Sequence, residues 1–65
     1  MSEGWKSFAE WDKEVYTNMY GKPISEDTHS TREQAQAICG MLERDGFGGD
    51  NEHYPIRTWT EKIEK

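Results

Sequence analysis

Ser30-Thr31-Arg32-Glu33-Gln34-Ala35-Gln36-Ala37-Ile38-Cys39-Gly40-Met41-Leu42-Glu43-Arg44-Asp45-Gly46-Phe47 is the stretch on which the fold turns. Its first four residues have the spacing of a capping box, with Ser30 as N-cap and Glu33 reaching back to the N-cap backbone. Ala35, Ile38 and Leu42 recur at helical spacing with Met41 beside them, while Arg32, Gln36, Glu43 and Arg44 turn toward water. Gly46 is suited to the left-handed position after a helix, and Phe47 is expected to fold back onto Leu42 in a Schellman arrangement. The spacing therefore predicts one amphipathic helix over 31–45.

C-terminal to it, Gly48-Gly49-Asp50-Asn51-Glu52 reads as a mobile turn, because glycine and short polar side chains favour local backbone bonding. Tyr54, Ile56, Thr58 and Thr60 then alternate with Arg57, Trp59 and Glu61, which predicts a strand over 54–62. Pro55 places its beginning at a sheet edge or just before pairing starts, and residues 61–65 are expected to fray. N-terminally, Ser7 and Glu10 form a second capping-box spacing that predicts a helical turn from Phe8. Val15, Tyr16, Thr17 and Tyr20 favour a strand over 14–20, the partner that the C-terminal strand needs for its backbone groups. Gly21-Lys22-Pro23-Ile24 marks a stop, and Ser25-Glu26-Asp27-Thr28-His29 reads as a polar connection.

The fold expected from these elements is a small α+β domain spanning 1–65: helical turn, strand, central helix, strand. The alternative is two helices plus a short hairpin. Trp11, Val15, Ile38, Leu42, Phe47 and Ile56 are assigned to the core, and Trp5, Tyr54 and Trp59 are candidate exposed anchors. The core must lean on aromatics, since Leu, Ile, Val and Phe are few in these 65 residues. Each buried aromatic side chain can hide roughly 150–250 Å².

Thirteen Asp and Glu against eight Lys and Arg give a net charge of −5, which repels nucleic acid and membrane surfaces and attracts basic proteins. One cysteine cannot form an internal disulfide, so a reducing, cytoplasmic compartment is expected. No apolar run approaches the ~20 residues needed to span a bilayer, and no signal-peptide pattern is read at the N-terminus.

Catalytic chemistry finds little support. Cys39, His29 and His53 lack the short repeated spacing of metal ligands, and Cys39 sits mid-helix without the helix N-terminus or cation that activates a thiolate. Gly46-Phe47-Gly48-Gly49-Asp50 follows a helix instead of leading into one, which is the wrong order for a phosphate loop. Asp45, Asp50, Asn51 and Glu52 lack the alternating oxygen ligands of a calcium loop. The adjacent Glu26 and Asp27 have no apolar surroundings to tune an acid–base pair. A non-enzymatic chain without cofactor or metal is expected, acting by contact with a protein.

In size, acidity, single cysteine and lack of a catalytic constellation, the chain resembles the small acidic phage-encoded proteins that disarm host defence, those of the anti-CRISPR type. Its Thr31-Arg32-Glu33-Gln34-Ala35 and Asp45-Gly46-Phe47-Gly48-Gly49 segments mark where a helix starts and stops. The resemblance implies a monomeric inhibitor, in the host cytoplasm if phage-encoded, that binds a defence complex such as a CRISPR effector subunit at the basic surface receiving DNA. Carboxylates would there stand in for phosphates, with no direct contact to nucleic acid. The expected partner-binding residues are Glu10, Asp12, Glu14, Glu26, Asp27, Glu43, Asp45, Asp50, Glu52 and Trp59. The alternative function is a small regulatory or structural module that binds through a sheet edge or exposed aromatics.

Overall fold

The structure, a computed structural model, describes residues 4–64. Three antiparallel strands and one helix form two layers: β1 (Gly4–Glu10), β2 (Ile24–His29), α1 (Arg32–Asp45) and β3 (Arg57–Ile63), with a short 3₁₀ turn at Phe47–Gly49. The sheet order is β2-β1-β3, so the N-terminal strand is central. Its register runs Trp5↔His29 to Glu10↔Ile24 on one side and Gly4↔Ile63 to Glu10↔Arg57 on the other. The α+β class stands, and the alternative of two helices plus a short hairpin does not.

The N-terminal half departs from the sequence reading. Gly4–Glu10 is a strand where a helical turn was expected from Phe8, and the expected strand over 14–20 is turn and coil. Asp12 explains the latter, because its carbonyl accepts from the N–H groups of Val15 and Tyr16 and its side chain from the N–H of Glu14. Asn18 closes the rest of the loop, taking the N–H groups of Tyr20 and Lys22 on its side-chain oxygen and donating to the Ile24 carbonyl. These local bonds satisfy the backbone that a strand would otherwise have paired. Residues 25–29, expected as a polar connection, are an edge strand held by β1. The C-terminal strand begins at Arg57 rather than 54 and extends through Ile63; the expected fraying of Lys65 lies outside the described residues.

The helix is close to expectation but one residue out of phase at its start. Thr31, not Ser30, is the N-cap: its hydroxyl accepts from the Gln34 N–H at 3.2 Å, and the Gln34 side-chain oxygen accepts from the Ser30 and Thr31 N–H groups. At the other end the Gly46 N–H donates to the Leu42 carbonyl at 2.9 Å. Gly46 takes φ 86° and ψ −172°, a region open in practice to glycine, so the end is not a Schellman turn. Phe47 meets the Trp11 ring edge-on, at 5.1 Å between centroids, with Tyr16 at 5.9 Å, and lines one groove with Leu42.

Strand alternation sorts β1 into two faces. Ser7, Ala9 and the following Trp11 are buried beneath α1, whose own buried residues are Ala35 and Cys39. Small residues on both sides let helix and sheet approach closely. Among the described residues Trp11 is the one large side chain fully enclosed, and its Nε1–H donates to Ser25 Oγ at 2.8 Å. Val15, Ile38 and Leu42 are half-buried, whereas Ile56, expected in the core, is 66% exposed. It precedes β3, its N–H held by the Glu10 carbonyl.

Candidate functional site

Chain direction decides where the carboxylates gather. β1 runs toward one end of the sheet, β2 starts there, α1 returns there, and β3 departs from it. Glu10 closes β1, Asp12 and Glu14 follow in the first loop, Glu43 and Asp45 occupy the last turn of α1, and Asp50 and Glu52 lie in the loop before β3. These residues thus share one end of the molecule. Asp12, Glu14 and Glu52 line a common open cavity of about 500 Å³ with Val15, His53 and Tyr54. The C-terminus of α1, the negative end of its dipole, points to the same end.

The remaining candidates sit elsewhere. Glu26 and Asp27 are mid-strand on the β2 edge, facing opposite sides of the sheet. Glu26 takes Lys6 Nζ at 3.4 Å on the face away from the helix. Trp59 is not a free anchor; it is half-buried on that same face, stacked on Phe8 with centroids 5.1 Å apart and planes within 7°. Arg57 lies over its ring at 4.6 Å, and its Nε1–H donates to Glu61 Oε2 at 3.0 Å.

Some of the acidic end is answered by cations of this chain. Arg57 Nε donates to Glu10 at 2.7 Å, and Arg44 grips Asp45 with two bonds of 3.1 Å, holding that carboxyl below the usual carboxylate range. His53 Nδ1 lies 2.8 Å from Asp50 Oδ2, while Asp50 Oδ1 accepts the N–H groups of Glu52 and His53. The imidazole contact first, then the two backbone donors, lowers Asp50 to about 2. Glu43 accepts from the Thr58 hydroxyl, joining α1 to β3. Asp12, Glu14 and Glu52 have no ion-pair partner among the described residues.

Other polar groups that chemistry could recruit are engaged structurally. His29 Nε2 and the buried Ser7 hydroxyl are 2.8 Å apart, and the Cys39 thiol donates to the Trp59 carbonyl at 3.5 Å. No group of three or more His, Cys, Asp or Glu side chains is placed to hold a metal ion among the described residues. A second, apolar groove of about 300 Å³ lies where α1 leaves β2 uncovered, walled by Ala9, Trp11, Ile38, Met41, Leu42 and Phe47. Sequence reading missed both this groove and the Phe8–Trp59 stack, because neither Phe8 nor Ala9 could be given a face until β1 was known as a strand. No helix among the described residues is long and apolar enough to cross a membrane. No family model, curated relative or solved structure matches this chain.

Proposed function

We infer that this protein acts by binding, without catalysis, and that its acidic end docks onto a basic protein surface of the kind that receives nucleic acid, as on a CRISPR effector subunit. The observation that carries the reading is the convergence of Glu10, Asp12, Glu14, Glu43, Asp45, Asp50 and Glu52 at the end where α1 also presents its negative pole. Within that end, Asp12, Glu14 and Glu52 keep their charge available around one open cavity. Arg57, Arg44 and His53 tie down Glu10, Asp45 and Asp50, which shortens any phosphate-like row and favours end-on insertion over lengthwise imitation of a duplex. Glu26 and Asp27 extend the negative field along the β2 edge and steer the approach.

Binding to purified nucleic-acid-binding effector complexes at rising salt tests the reading. The dissociation constant should climb steeply with ionic strength, and the combined change Asp12→Asn, Glu14→Gln, Glu52→Gln should weaken binding by about tenfold or more. Salt-independent binding, or a triple variant that binds as tightly as the parent, overturns it.

A further inference from the structure

β2 and β3 are both edge strands, but their free edges differ in character. Trp11, which continues β1, donates its N–H to the Pro23 carbonyl at 2.7 Å. In an antiparallel ladder backbone groups alternate sides, so the odd-numbered residues of β1 bond toward β2 and the even-numbered ones toward β3. With Phe8 opposite Trp59, it is Arg57, Trp59 and Glu61 that bond back to β1. The backbone N–H and C=O groups of Thr58 and Thr60 therefore face outward.

The β2 edge carries Glu26 and Asp27 at its centre, so any self-pairing about its middle sets carboxylate against carboxylate. The β3 edge reads Arg57-Thr58-Trp59-Thr60-Glu61, which is antisymmetric in charge about Trp59. When a second β3 is laid antiparallel with Trp59 opposite Trp59, Arg57 of each copy falls opposite Glu61 of the other. Thr58 then falls opposite Thr60, and these are the residues whose backbone groups point outward. Trp59 meets its counterpart as a non-hydrogen-bonded pair, the closer kind, with Cα atoms about 4.5 Å apart.

Both faces agree with this register. On the side away from α1, each Trp59 already stacks on its own Phe8, so pairing would line up Phe8, Trp59, Trp59 and Phe8 across the seam. Arg57 binds Glu10 through Nε, which leaves the terminal nitrogens of its guanidinium for the second copy's Glu61. The two-fold axis stands perpendicular to the sheet, so both helices lie on one side and the acidic ends point in opposite directions.

We propose that the free edge of β3 is a self-recognition surface: a second copy of this chain adds its own β3 antiparallel about Trp59, forming a continuous six-stranded sheet with two binding ends. The proposal replaces the monomer expected from the sequence. It does not depend on what the acidic end binds.

Sedimentation equilibrium from low to high micromolar concentration tests it. The parent should show a reversible dimer. Glu61→Arg, which sets two pairs of like charges across the seam, should raise its dissociation constant by about tenfold or more. Thr60→Pro, which deletes an outward N–H while leaving every bond to β1, should do the same with the far-ultraviolet circular dichroism unchanged. Arg57→Glu alone should also be monomeric, yet mixed in equal amounts with Glu61→Arg it should give heterodimers, since both seam pairs between the two variants then set a carboxylate against a guanidinium again. Should Arg57→Glu fail to fold, the other two variants decide the matter. A parent that stays monomeric at high micromolar concentration, or a dimer indifferent to both Glu61→Arg and Thr60→Pro, overturns the proposal.

Discussion

His53 and Asp50 form the ion pair whose pH response is easiest to isolate, because both belong to one short loop. The Asp50 carboxyl raises the pKa of His53 above its ordinary value, chiefly by accepting the Nδ1–H bond, while His53 and two backbone donors lower Asp50 to about 2. A raised histidine stabilises the folded loop fully below the ordinary imidazole value and loses that contribution as pH rises through the elevated one. A lowered carboxyl stabilises above the ordinary carboxylate value and loses its contribution as pH falls through about 2. The pair is therefore at full strength from about pH 4 to about pH 6.5, the interval between the two unperturbed values. Proton NMR should show His53 titrating above an unperturbed histidine, and Asp50→Asn should bring its midpoint down. An unchanged midpoint in Asp50→Asn would mean that the contact does not persist in solution.

At the scale of elements, the junction after α1 is where sequence and geometry constrain each other most tightly. A Cβ placed on Gly46 would stand 2.7 Å from Asp50 Oδ1 and 2.8 Å from the His53 carbonyl, and its φ of 86° is unfavourable for any other residue. The acidic loop folds back directly over this glycine, with the Phe47 N–H bound to the His53 carbonyl and the Asn51 N–H to the Asp45 carbonyl. Gly46→Ala should cost about 1–3 kcal/mol in denaturant unfolding, with larger effects on loop protection from hydrogen exchange than on β1. A loss under half a kilocalorie would mean the junction readily rearranges.

The same scale shows what the sequence disclosed. α1 was legible because capping spacing, apolar period and terminal glycine agree, and the slip from Ser30 to Thr31 arose because Gln34 caps as well as Glu33 would. β1 was not, since the face it buries is Ser7 and Ala9: a helix that packs closely demands small residues, and these erase the apolar alternation that marks a strand. β2 was hidden for the opposite reason. Ile24-Ser25-Glu26-Asp27-Thr28-His29 has little β-propensity of its own, and its extension comes from pairing with β1 and from the Trp11–Ser25 bond. Conversely, the β-like residues from Val15 to Tyr20 lost to the turns that Asp12 and Asn18 close. The acidic residues of the candidate site were all visible in the sequence, but their common end was not, because it follows from the directions of β1 and β2.

For the whole molecule, the thin two-layer shape, with extents of 38 × 26 × 15 Å, leaves one sheet face open and keeps the charges near the surface. Seven of the thirteen carboxylates lie at the end where α1 also terminates, so Asp12, Glu14 and Glu52 repel one another and the helix dipole. The ion pairs Lys6–Glu26, Arg44–Asp45 and Arg57–Glu10 oppose this, but exposed pairs are worth little. Repulsion should therefore dominate the salt response. Added sodium chloride should raise the thermal midpoint as the Debye length falls from about 30 Å at 0.01 M to about 8 Å at 0.15 M. Neutralising Asp12, Glu14 and Glu52 together should reproduce much of that gain at low salt and flatten the remaining dependence. These carboxylates would then oppose folding while serving the proposed docking, so the triple variant should gain stability as it loses affinity for a basic partner. A midpoint that falls with salt, or a triple variant less stable than the parent, would show that the acidic end is held by attractive contacts, and charge display would no longer account for its composition.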